Sequence, residues 1–217
     1  MVTIFERQNS LMNRFIAQMR DVNVQGDSMR FRRNLERVGE IMAYEISQTM
    51  HYKQTRVETP LGVADVMLPD DQVVIATILR AGLPFHQGFL NYFDNAQNAF
   101  VSAYRKYSKD NSFNIKVEYI STCELSGKTL IIVDPMLATG SSLVLTYQAL
   151  IEKAGMPSYT HIATIIASEE GLEYTRKHFS PQTTSIWCGT VDAEMTVKSY
   201  IVPGMGDVGD LAYGEKM

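Results

Sequence analysis

Arg80, Arg105 and Asp134 each stand just after a short β-branched apolar run: Val73–Leu79, Ala99–Ala103 and Thr129–Val133. Guanidinium groups match phosphate oxygens in bidentate fashion. A carboxylate beside them can accept hydrogen bonds from hydroxyls or face a developing positive charge. One arginine so placed is more often a helix cap or half of a surface ion pair; three such ends together point to a phosphorylated ligand. The most specific segment is VDPMLATGSS, residues 133–142. An apolar strand ends in Asp134, a short loop follows, and a helical pattern begins at once. Gly140 permits a tight turn, and the first N–H groups of the helix join the hydroxyls of Thr139, Ser141 and Ser142 in a phosphate cradle. The Gly-Lys-Ser/Thr spacing of a nucleoside-triphosphate loop is missing here.

The elements that must hold these residues follow from periodicity. Besides the three runs above, His161–Ala167 reads as a fourth strand, followed by Ser168-Glu169-Glu170-Gly171. Stretches with helical spacing lie between them, over 84–93, 141–154 and 169–178. Strands alternating with helices predict βαβ units and a parallel sheet covered on both faces, an α/β class. In such a sheet ligands bind beyond the carboxyl ends of the strands, where Arg80, Arg105 and Asp134 are expected. Residues 106–128 break the rhythm, and alternation of Ile115, Val117 and Tyr119 predicts a projecting β-hairpin. Leu11, Met12, Phe15, Ile16 and Met19 predict an amphipathic helix within the first twenty residues. A longer helix, capped by Asp27 or Ser28, has the stripe Phe31, Leu35, Val38, Met42 and Ile46. Beside it Arg30, Arg32, Arg33 and Arg37 read as a solvated face, because Glu36 and Glu40 are interleaved.

Composition bounds the function. The 217 residues suit one generous domain, and 45% apolar with 20% charged residues is ordinary for a globular chain. Twenty basic against 24 acidic residues give a net charge of −4 with no basic block, which argues against nucleic-acid binding. No apolar run approaches the eighteen residues of a membrane span. Cys123 and Cys188 lie far apart in no metal-ligand spacing, and no signal peptide is evident, so the cytoplasm is the expected location. A metal cage built by the protein is not expected. His51, His161 and His178 lack partners at ligand spacing, and His86 reads as a helix-surface residue.

The segment VDPMLATGSS resembles the phosphoribosyl-diphosphate (PRPP) signature of the type I phosphoribosyltransferases, in the form used by the uracil phosphoribosyltransferase family. ILRAGLP, residues 78–84, is similar to that family's pyrophosphate loop, AYRK, 103–106, to its second arginine site, and YIVPGMGDVGD, 200–210, to its uracil loop. RFRRNLERVGEIMAYE resembles the family's long second helix. The resemblance implies one type I phosphoribosyltransferase domain over 1–217. Its parts are an N-terminal helical segment (1–60), a hairpin lid (106–128) and a C-terminal base-binding hood (191–217). It implies Mg2+-assisted transfer of the 5-phosphoribosyl group from PRPP to N1 of uracil, giving UMP and pyrophosphate. Asp134, Arg105 and Asp207 are then catalytic. PRPP is held by Arg80, Ala81, Gly82, Arg105, Asp134, Pro135, Met136, Leu137, Ala138, Thr139, Gly140, Ser141, Ser142 and Asp207. Uracil is read by Ile201, Gly206, Asp207 and Val208. Mg2+ is held mainly through PRPP and water, and the chain forms a homo-oligomer, a dimer or tetramer.

Some residues depart from the family pattern. Ser141 replaces a second glycine, which costs about 1 kcal/mol or more only if its φ is positive. Pro84-Phe85-His86 follows the Arg-Ala-Gly-Leu turn, Leu211 replaces a basic residue, and residues 195–199 lack the expected Leu-Asn and Gly. Two other readings stay open on sequence: a PRPP- or UMP-sensing regulator on the same scaffold, and a sister enzyme using another base.

Overall fold

A computed structural model describes residues 1–107 and 113–216, with the backbone alone for 103–107 and 113–117. The chain opens with a short strand, β1 (Val2–Ile4), and a single 3-10 turn before α1 (Leu11–Arg20). The expected N-terminal helix is thus confined to its second half, where Ser10 caps it by accepting the Met12 N–H at 3.2 Å. Helix α2 (Ser28–Ser47) is capped by Asp27, and its stripe Phe31, Leu35, Val38, Met42 and Ile46 is buried throughout. A hairpin, β2 (Tyr52–Thr59) and β3 (Gly62–Pro69), follows and pairs only with itself. It corrects the expectation of a helical segment running to residue 60.

The remaining elements are β4 (Val73–Leu79), α3 (Leu83–Leu90), β5 (Gln97–Tyr107), β6 (Phe113–Ser121), β7 (Thr129–Val133), β8 (Met136–Leu137), α4 (Ser141–Ala154), β9 (Tyr159–Ser168), α5 (Glu169–His178), β10 (Thr184–Asp192), β11 (Glu194–Met195), β12 (Ile201–Val202) and α6 (Val208–Tyr213). Among the described residues the main sheet has the order β1-β10-β9-β7-β4-β5-β6, with β8 paired to β9. Every pairing in it is parallel except β5 with β6.

Successive residues of a strand face opposite sides, and both sides are apolar because helices cover both. Ile75, Ile131, Val133 and Ala163 pack with α1, α2, α3 and α6, while Val74, Ala76, Leu130, Ile132 and Ile162 pack with Leu143, Val144 and Leu150 of α4. Helix α5 carries Glu169 and Glu170 in its first turn and Arg176, Lys177 and His178 in its last, which complements the helix dipole.

The lid region has a different root from the one expected. β5 pairs with β4 only as far as Ser102, a register shift falls between Ser102 and Ala103, and beyond it β5 pairs with β6 alone. The hairpin therefore grows out of the sheet itself, where β4 ends. Residues 108–112 of the expected 106–128 hairpin, and the side chain of Arg105, lie outside the described residues.

Candidate active site

β4 and β7 end at one edge of the sheet, and the segments beyond them, together with the C-terminal region, line a cleft of about 510 Å³, within the range usual for small-molecule sites. At the first strand end the chain turns through Arg80-Ala81-Gly82 into α3, with the Gly82 N–H donating to Ile78 O at 3.1 Å. A Cβ on Gly82 would lie 2.1 Å from Thr77 Oγ1, so only glycine lets the turn press so closely on the strand. The Arg80 guanidinium donates through Nη2 to Asp210 Oδ1 at 3.1 Å and to Gly214 O at 3.2 Å. Its Nε is buried without a hydrogen-bond partner. A buried donor of this kind is costly unless a ligand supplies the acceptor.

At the second strand end Asp134 donates its N–H to Ala163 O at 3.1 Å, and its Oδ1 accepts from the Met136 N–H at 3.4 Å. Burial pushes its carboxyl up to about 7, against which the Met136 N–H acts only weakly. The phosphate loop is anchored from behind: the Ser168 hydroxyl donates to Ala138 O at 2.5 Å while accepting from the Gly171 N–H at 2.8 Å. Gly140 caps α4 in the left-handed region, at φ 77. Ser141, the first residue of that helix, is absent from the positive-φ positions. The replacement of glycine there is thus unstrained, and its hydroxyl pairs with that of Thr139 at 2.6 Å.

The third wall comes from the C-terminal region. β11 and β12 form a small antiparallel hairpin, Glu194 opposite Val202 and Met195 opposite Ile201. Residues 196–200 close it, with the Thr196 N–H donating to Tyr200 O at 2.8 Å. Ser199 sits at φ 61, the conformation a glycine would hold more easily. Asp207 then caps α6, its Oδ1 accepting from the Asp210 N–H at 3.0 Å.

Of the residues expected from sequence, the cleft is lined by Arg80, Ala81, Asp134, Met136, Leu137, Ala138, Thr139, Gly140, Ser142, Ile201 and Asp207. Gly82, Pro135, Ser141, Gly206 and Val208 are not among the residues lining it. Pro135 uses its carbonyl to accept from the N–H groups of Ile165 and Ile166, and Val208 is fully buried in the core. Sequence reasoning missed Lys198, Ser199, Tyr200, Gly209 and Lys216, which also line the cleft. Tyr200 and Gly209 fall inside the recognisable 200–210 segment without having been assigned to the site, whereas no motif marks Lys198, Ser199 and Lys216.

The histidines lie outside this cleft. His86 is buried, not on a helix surface, because the first turn of α3 faces β5: its Nε2 lies 2.8 Å from Asn98 Oδ1. His161 accepts from Trp187 Nε1 at 3.1 Å, and burial lowers its pKa to about 4. The arginine face is solvated only in part. Arg33 pairs with Glu36 and Glu40, but Arg32 donates to Ala212 O at 2.7 Å and so fastens α6 to α2.

The family model described as uracil phosphoribosyltransferase matches residues 6–215. A uracil phosphoribosyltransferase of Porphyromonas gingivalis is 58% identical over 210 residues, covering 97% of this chain and 96% of the relative. One from Pyrococcus furiosus is 37% identical over 203 residues, 92% of this chain and 84% of its own length. Among solved structures, the AQ2163 protein of Aquifex aeolicus superposes with a TM-score of 0.87 at 28% identity, covering 99% of this chain and 98% of that one. A hypoxanthine phosphoribosyltransferase of Staphylococcus aureus, at 10% identity and TM-score 0.51 over 91% of this chain and 93% of its own, shares the fold.

Proposed function

The chain belongs to the uracil phosphoribosyltransferase family, and from that premise we propose how its cleft is used. The protein transfers the 5-phosphoribosyl group from PRPP to N1 of uracil, giving UMP and pyrophosphate. The loop Ala138–Ser142 holds the 5-phosphate through the N-terminus of α4 and the hydroxyls of Thr139 and Ser142. Asp134 accepts hydrogen bonds from the ribose hydroxyls and offsets the positive charge that develops at the anomeric carbon as pyrophosphate leaves. Arg80 faces the pyrophosphate, which supplies the acceptor its buried Nε lacks, and Arg105, at the root of the β5–β6 hairpin, is assigned the same task. The 201–207 loop receives uracil, with Ile201 against the ring and main-chain groups on its edge. Cytosine is rejected because its exocyclic amine meets a donor.

Two carboxylates, Asp134 and Asp207, line the cleft, and no group of three or more potential metal-ligating His, Cys, Asp or Glu residues occurs among the described residues. That donor set suits Mg2+, an ion that keeps waters and phosphate oxygens as ligands. Asp207 is the side chain assigned to it; the bound ion supplies charge neutralisation of the departing pyrophosphate.

Among the described residues no helix is long and apolar enough to cross a membrane, and both cysteines are free, which supports a reducing, cytoplasmic setting. A homo-oligomer is proposed as well, supported by the exposed β2–β3 hairpin.

The observation that carries this reading is the meeting of Arg80, Asp134, the phosphate loop and the 201–207 loop around one cleft. Purified protein given PRPP, Mg2+ and labelled uracil is expected to form labelled UMP. PRPP binding without UMP formation would favour the regulator, and faster turnover with another base would reassign the hood.

A further inference from the structure

We propose that Arg20 and Asp192 are positioning residues for the base. They latch the 201–206 loop to the N-terminal helix and thereby set the affinity for uracil without touching it. The inference rests on the reading that this loop receives uracil.

Asp192 ends β10 and is only 7% exposed. Its carboxylate accepts three contacts from two distant parts of the chain. Arg20 Nη2 donates to Oδ1 at 2.9 Å and to Oδ2 at 3.0 Å, and the Gly204 N–H donates to Oδ2 at 2.8 Å. A carboxylate withdrawn from water is costly unless it is fully paired. Through this one carboxylate the loop, the strand end and the last turn of α1 are tied together.

The latch reaches the cleft through one tight turn. Gly204 sits at φ 58, and a Cβ there would lie 2.2 Å from Ile201 O. Fixing the Gly204 N–H therefore fixes the Ile201 backbone, and Ile201 lines the cleft. A second strut supports the same loop. Gln25 donates through Nε2 to Met19 O at 3.2 Å and to Arg20 O at 3.1 Å, closing the end of α1. Its Oε1 borders Gly206, lying 3.5 Å from where a Cβ on that residue would stand. None of Arg20, Gln25 and Asp192 lines the cleft. Their effect on the base is transmitted by the loop backbone.

The test is a split between the two substrates, measured on Arg20→Gln, Arg20→Lys, Asp192→Asn and Ile201→Ala. Losing a charge-assisted contact of this class is expected to raise the KM for uracil about tenfold in Arg20→Gln. The KM for PRPP and kcat are expected to stay within about twofold, since the phosphate loop and Asp134 are untouched. Arg20→Lys, which keeps one charged donor, is expected to fall between parent and Arg20→Gln. If Asp192→Asn does not fold, Arg20→Gln carries the test, because that side chain is 24% exposed and its loss leaves the Gly204 contact in place. Parallel rises in both KM values with a lowered melting temperature would show a merely structural role and overturn the proposal. Ile201→Ala separates the two layers. If it leaves the uracil KM unchanged, the assignment of the loop to the base fails. If it raises that KM while Arg20→Gln does not, only the latch fails.

Discussion

Burial pushes the Asp134 carboxyl up to about 7 from an ordinary 3.8, and this has opposite consequences for stability and for activity. A raised carboxyl pKa means the folded protein keeps a proton that the unfolded chain has already lost. Between about pH 4 and 7 stability therefore falls as pH rises, and above 7 the loss is complete. Asp134→Asn, neutral throughout, is expected to melt at a higher temperature than the parent at pH 8, with the gap shrinking toward pH 4. Activity runs the other way, because the ionised carboxylate is the form that faces positive charge. The parent's kcat/KM for PRPP is expected to fall as pH drops below about 7. Asp134→Asn is expected to lose about 10²- to 10³-fold in kcat and, with it, that acidic limb. An unchanged limb in the variant would assign it to the PRPP phosphates. Asp134 was legible in the sequence because a strand end beside a glycine turn is a local signal. Lys198 and Ser199 were not, since they reach the same cleft only when β10 has brought the chain back across the sheet.

At the scale of elements, the phosphate loop depends on how α4 starts and on what stands behind it. A Cβ on Gly140 would lie 2.8 Å from Thr175 Oγ1 and 2.9 Å from Gly171 O, both in α5, and the residue is left-handed besides. Gly140→Ala is thus expected to cost about 1–3 kcal/mol in backbone strain, with a further penalty for displacing α5. In denaturant melts this appears as a lowered midpoint, and in kinetics as a KM for PRPP raised more than that for uracil. Ser141→Gly tests the neighbouring departure. Since Ser141 already lies in a helical conformation, the glycine is expected to leave the PRPP KM nearly unchanged and to lower stability by about 0.5–1 kcal/mol. A large gain in PRPP affinity would mean that the serine obstructs the site. The bounds of α4 and α5 were read directly from the sequence because a one-sided helix has a strong period. β10 escaped notice: Thr184–Asp192 is buried along nearly its whole length with Thr, Ser, Cys and Gly among its residues, so it shows neither alternation nor a continuous apolar run. α6, at six residues, is too short to carry a period, and Arg32 and Arg80 hold it by side-chain contacts no local pattern announces.

Considered whole, the described residues form a main sheet covered on both faces and, outside it, a ribbon that they leave largely exposed. The β2–β3 hairpin pairs only with itself, and cross-strand register places Val57 opposite Ala64, Thr55 opposite Val66 and Lys53 opposite Leu68 on one face. Val57 and Leu68 are 38% and 42% exposed, and Leu61 at the tip is fully exposed. An isolated two-stranded ribbon is marginal in water, and exposed strands with apolar rows invite pairing with another chain. Its charged pairs, Lys53 with Asp70 and Arg56 with Asp65, lie in the open, where such pairs contribute little. The hairpin left no mark in the sequence reading because hydrophobic periodicity reports burial within one chain, and this ribbon finds little there. In the homo-oligomer proposed above, contact with a second copy is expected to supply what the single chain lacks. Sedimentation of the purified protein at micromolar concentration is therefore expected to give at least twice the chain mass. The triple variant Val57→Ser, Leu61→Ser, Leu68→Ser is expected to sediment as a monomer with an unchanged far-ultraviolet circular dichroism spectrum, because the hairpin contributes nothing to the main sheet. A monomeric parent would refute the assembly outright, and a variant that stays oligomeric would move the interface to another face of the molecule.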